Sequence, residues 1–141
     1  MWALLVTATL AGAAAFDAET IPKAEAGIAD ACGAKPAVAV RWSEFDDDEA
    51  AAGALMGDGL AFLTAAFTTV CKDAALKEEV AKQIKKVALT QAHGAADPVV
   101  YISAGILNIE YLWVKGEPPP DAAFIAAEIA SRLNGEEAEA P

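Results

Sequence analysis

The chain has 141 residues, 55% of them hydrophobic, and sets 21 Asp and Glu against 10 Lys and Arg for a formal charge of −11. That length suits one packed domain better than two. The acidic excess argues against a nucleic-acid partner, which needs concentrated Lys and Arg, and against adsorption to anionic lipid.

Residues 1–15 read as an export signal. The run from Trp2 to Leu10 is apolar and uncharged, and Ala13 and Ala15 supply the small-x-small pattern that a signal peptidase accepts. As a helix the stretch is too short for a hydrocarbon core of about 30 Å, so cleavage is expected to leave no stable membrane anchor. The usual basic residue near the start is missing, and a buried or membrane-resting N-terminal helix is the competing reading. The expected address is periplasmic or extracellular.

Residues 16–135 then form a single α+β domain. A first helix spans 20–33: Thr20 can cap it, Pro22 suits its first turn, Ile21, Ala24, Ile28 and Cys32 keep helical spacing, and Gly33 stops it. Val38, Val40 and Trp42 alternate with Ala39, Arg41 and Ser43, so 37–45 reads as a strand. A long helix from Asp46 to about Lys72 follows, weakened where Gly53, Gly57 and Gly59 invite a break or a close helix contact. Asp73 caps the next helix, 74–85, which places Leu76, Val80 and Ile84 on one face.

The period then changes from helical to alternating. Residues 86–92 suggest a strand, and 93–98 a loop. Residues 99–103 and 106–114 read as two strands joined at Ala104-Gly105, a tight antiparallel hairpin. Its second arm turns Leu107, Ile109, Tyr111 and Trp113 one way, and Asn108 and Glu110 the other. After a proline-rich connector, Asp121 caps a last helix, 122–133, ended by Asn134-Gly135. Residues 136–141 form a disordered acidic tail. The order α-β-α-α-β-β-β-α implies about four helices on a mainly antiparallel sheet, built from the 99–114 hairpin and strands near 37–45 and 86–92.

Two cysteines occur, Cys32 and Cys71. In an oxidising compartment such a pair is most simply a disulfide, worth roughly 4 kcal/mol for a loop of about 40 residues. Two buried thiols are the alternative if export fails. The wide spacing is neither a CxxC redox motif nor a zinc set.

Motifs for chemistry are sparse. Asp46-Asp47-Asp48-Glu49 concentrates oxygen ligands, but Gly57 occupies the position where an EF-hand loop needs its last Glu, and helix capping explains the cluster. The glycines at 53, 57 and 59 lack the lysine of a phosphate loop. No metal or cofactor is expected. His93 is the sole histidine, and a small hydrolase would have to build on it with Asp97 and a hydroxyl such as Ser43 or Ser103. Glu44, Glu110 and Glu128 are scattered carboxylates with no spacing that marks an acid/base pair. Trp42, Tyr111 and Trp113, together with Tyr101, could line an aromatic ligand surface, although aromatics at strand period usually fill the core. The leading expectation is therefore a small exported, non-catalytic protein that binds another protein, cationic in one version, as an inhibitor, immunity-like or envelope accessory factor. A carrier of a small apolar ligand and a hydrolase using His93 are the alternatives.

Overall fold

The computed structural model describes residues 16–44, 60–92, 98–111 and 119–136. A short helical turn, Phe16–Thr20, leads into α1 (Ile21–Cys32), followed by β1 (Ala37–Val40) and a tight turn at Trp42–Glu44. Then come α2 (Ala61–Val70), α3 (Ala74–Gln83), β2 (Lys86–Gln91), β3 (Val99–Ser103), β4 (Ile106–Tyr111) and α4 (Ala122–Leu133). The α+β class and the element order agree with the expectation from sequence. The export segment 1–15, the acidic cluster 46–49 and the glycines at 53–59 lie outside the described residues. So do His93, Asp97, Trp113 and the tail 137–141.

The sheet is mixed rather than mainly antiparallel. Its order is β1-β2-β4-β3, with β1 parallel to β2, β2 parallel to β4, and only β3 antiparallel to β4. Two features cause this. The described residues between β1 and β2 include the helices α2 and α3, enough length for a parallel crossover. The hairpin arrives with its first arm outermost, so its second arm takes the place beside β2. Strand β2 carries the signature of a central parallel strand: Val87, Ala88, Leu89 and Thr90 are buried in succession.

Register assigns the two faces. Val38, Val40, Val87, Leu89, Leu107, Ile109 and Val100 share one face and merge into a single core with Ile28 of α1, Leu63 and Phe67 of α2, and Ile125 and Ile129 of α4. The opposite face carries Ala88, Thr90, Asn108, Tyr101 and Glu110. The hairpin turn has positive φ at both residues, Ala104 (53°) and Gly105 (79°), as a two-residue turn of this hand requires. The Gly105 carbonyl accepts the Lys85 and Lys86 N–H groups at 2.8 and 3.2 Å, which locks β4 to the start of β2.

Local signals mostly act where the sequence places them. Asp73 accepts from the Ala75 and Leu76 N–H groups, and Asp121 from that of Ala123. Gly33 ends α1 in the left-handed conformation at φ 70°. Thr20 makes no side-chain cap, because the preceding helical turn already carries the backbone into α1. The strand over 37–45 stops at Val40, where the chain tightens into the turn at Trp42. The helix expected from 46 to 72 is not continuous: Leu60 stands at φ 57° immediately before α2, a conformation that no α-helix passes through. Close helix contact occurs at Gly27 of α1, where a methyl group would sit 2.7 Å from Cγ2 of Thr64 on α2.

Cys32 and Cys71 form a buried disulfide, with a Cα–Cα distance of 5.3 Å. It joins the C-terminal ends of α1 and α2. Both sheet edges are held by charged helix side chains. The Ala37 and Arg41 N–H groups donate to the Lys85 and Leu89 carbonyls, so the intervening Val38 N–H faces away from the sheet, and Glu25 Oε2 of α1 accepts it at 2.9 Å. On the far edge, Arg132 Nε of α4 donates to the Val100 carbonyl at 3.1 Å, its side chain only 9% exposed and paired with Glu128 at 2.6 Å. Edge groups tied in this way are poor templates for a foreign strand.

Two predictions follow from this frame. The double variant Cys32→Ala/Cys71→Ala is expected to lose about 4 kcal/mol of unfolding free energy, measured by urea titration against the oxidised protein. Glu25→Ala is expected to cost about 1–2 kcal/mol by the same measurement, because it leaves the outward Val38 N–H without its charged acceptor. Light scattering of that variant should show greater self-association, and an unchanged unfolding curve with no association would remove the clasp role.

Candidate functional site

Alternation along β4 turns Asn108 and Glu110 away from the hydrophobic core. At 3% exposure, Asn108 is buried in the middle of the sheet, where an amide is costly unless both ends are bonded. Its Nδ2 donates to the Ile106 carbonyl at 3.0 Å. Its Oδ1 accepts from Arg41 Nη2 at 3.2 Å. Arg41 follows the last residue of β1, and β2 lies between β1 and β4, so the Arg41 side chain crosses the central strand to reach this amide. Arg41 is exposed, and no ion pair among the described side chains includes it.

Tyr101 of β3 stands opposite Asn108, and its phenol donates to Glu110 Oε1 at 3.2 Å. Burial, then the charge of Glu110 and this hydrogen bond, hold the Tyr101 phenol above its ordinary value of 10.0, while Arg41 pulls in the opposite direction. A cation and an anion thus act on one phenol from the same side of the sheet. The cluster Arg41, Asn108, Tyr101 and Glu110 is the candidate site. Sequence reading put Asn108 and Glu110 on one face; the registers of β1 and β3 bring Arg41 and Tyr101 to them.

Of the aromatic residues expected to line a ligand surface, Tyr101 belongs to this cluster, Trp113 lies outside the described residues, and the other two lie elsewhere. Trp42 and Tyr111 are half-buried at the carboxyl ends of β1 and β4, where both pack against the core. Gln91 pairs with Tyr111 in register, and its buried Oε1 has no hydrogen-bond partner among the described residues. Ser43 and Ser103 are exposed, and Glu128 is committed to Arg132. Glu110 and Glu128 therefore serve different partners. Among the described residues, no group of three or more His, Cys, Asp or Glu is placed to hold a metal ion, and no helix is long and apolar enough to cross a membrane.

The Tyr101 titration tests the cluster. Glu110→Gln is expected to lower the phenol's pKa, by removing a negative charge that opposes phenolate, and Arg41→Gln to raise it. Ultraviolet absorbance against pH reads both, and shifts of equal sign would break the assignment. Because folding favours the neutral phenol, its contribution to stability is complete below the unfolded value of about 10 and is lost as pH rises through the folded pKa. Compared with known proteins, the chain matches no family model, no curated protein and no solved structure.

Proposed function

We propose that this is a small exported, non-catalytic protein that acts by binding a cationic protein partner, as an inhibitor, immunity-like or envelope accessory factor. The Cys32–Cys71 disulfide is the observation that carries the reading. Buried disulfides of this kind persist in oxidising compartments and are rare where thiols are kept reduced. The formal charge of −11 supports a basic partner, since charge complementarity accelerates encounter. The polar contacts of the outer sheet face also suit recognition. They pair donors with acceptors. In this reading residues 1–15 are a cleaved leader and 16–135 the mature domain.

A second reading, a carrier of a largely apolar ligand beside Trp42 and Tyr111, draws support from Gln91. Its buried Oε1, without a partner among the described residues, would accept a hydrogen bond from such a ligand.

Expression of the full chain in a cell with an envelope tests the first reading. Intact mass of the exported fraction is expected to show residues 1–15 removed and both thiols oxidised. Binding to a basic partner retained from that envelope is expected to weaken steeply with salt. Retention of the leader with free thiols in the cytoplasmic fraction would refute it.

A further inference from the structure

We propose that Asn134-Gly135, at the end of α4, is a site of covalent self-modification: a deamidation clock that Arg132 holds shut. In the open state the Gly135 amide nitrogen gives its proton to solvent base and bonds to the side-chain carbonyl carbon of Asn134, and Nδ2 leaves as ammonia. Water then opens the resulting five-membered imide. Attack at one carbonyl leaves aspartate; attack at the other leaves isoaspartate, whose main chain runs through the former side chain. This inference rests neither on export nor on a protein partner.

The two asparagines of the chain stand at opposite extremes for this reaction. Asn108 is buried within a strand and is followed by Ile109, whose branched side chain crowds the nitrogen that would attack. Asn134 is exposed, and so is Gly135, which without a Cβ offers the least hindered nitrogen. A methyl group added at Gly135 would meet no described heavy atom within 4 Å, so base and water reach the dipeptide from solvent.

The fold opposes the reaction in two ways. Gly135, at φ 88°, closes α4 in a Schellman cap: its N–H donates to the Arg132 carbonyl at 3.1 Å, and that of Glu136 to the Ser131 carbonyl at 3.0 Å. The attacking nitrogen is therefore engaged. Asn134 stands at ψ 3°, so its own nitrogen eclipses the Gly135 nitrogen across the Cα–C bond, where the imide ring needs Cβ. Arg132 bolts this arrangement. Its Nη1 donates to the Glu136 carbonyl at 2.8 Å, while Nε and Nη2 are fixed by Val100 of β3 and Glu128 of α4. The cap must open before the ring can close, and opening costs a charge-assisted hydrogen bond. Conversion runs one way. The new carboxylate meets the negative end of the α4 dipole, and the isoaspartate backbone, longer by one carbon, cannot rebuild the cap. Ageing thus loosens the same arginine that ties the outer edge of β3.

Mass spectrometry of the disulfide-bonded full chain, aged in mildly alkaline buffer, tests the clock. A protease that cuts after glutamate releases residues 129–136 from each sample once it is unfolded. The amide-to-acid mass change at Asn134, with aspartate and isoaspartate separated by chromatography, gives the rate. In the folded chain that rate is expected to lie at least about tenfold below the rate in guanidinium chloride, and to follow the hydrogen-exchange protection of the Gly135 amide. Arg132→Gln is expected to speed conversion in buffer by about tenfold, the scale of one charged hydrogen bond, and to leave the rate in guanidinium chloride unchanged. If that variant unfolds, the wild-type comparison and the Gly135 exchange measurement decide the matter. The proposal is overturned if the chain converts as fast folded as unfolded, or if Asn134 stays an amide in guanidinium chloride. It is also overturned if Arg132→Gln, with native exchange protection elsewhere, ages no faster than the parent.

Discussion

The parallel pairing of β2 with β4 is the constraint on which the other elements depend. It runs from Lys86 opposite Ile106 to Gln91 opposite Tyr111, and the Gly105 carbonyl anchors its starting end. A slip of one residue would exchange the two faces of β4, carrying Asn108 and Glu110 into the core and Leu107 and Ile109 out of it. Helices α1, α2 and α4 would then have no continuous apolar surface to cover. The turn at Ala104-Gly105 has a structural purpose beyond closing a hairpin: it presents the carbonyl that sets the alignment of a third strand.

Much of this was legible in the residues themselves. Helix boundaries marked by Asp73, Asp121 and Gly33 follow from local chemistry, because a cap or a left-handed glycine acts within one turn of its position. The hairpin was legible for the same reason. Strand direction was not. Val38-Ala39-Val40 and Val87-Ala88-Leu89 have the same composition whether paired parallel or antiparallel, and the choice was made by where β4 inserted. The left-handed Leu60 was half legible: Gly59 beside it invites a break, but leucine itself gives no sign of a positive φ.

The candidate site divides in the same manner. Alternation along β4 separated Asn108 and Glu110 from Leu107 and Ile109, so one strand's share of the polar face was readable. Arg41 and Tyr101 belong to it only through long-range register, and no local pattern announces an arginine that crosses a neighbouring strand. The aromatic residues illustrate the opposite case. Strand period drew attention to Trp42 and Tyr111, and the fold packs both against the core at the carboxyl ends of their strands.

The disulfide closes a covalent ring through 39 positions, and β1 lies within that ring. A protease that cut the backbone once inside it would not release a fragment. The severed outer strand would stay tethered on either side of the break, held close enough to dock again beside its neighbour. Damage that would dismantle an open chain becomes, for this segment, a nick.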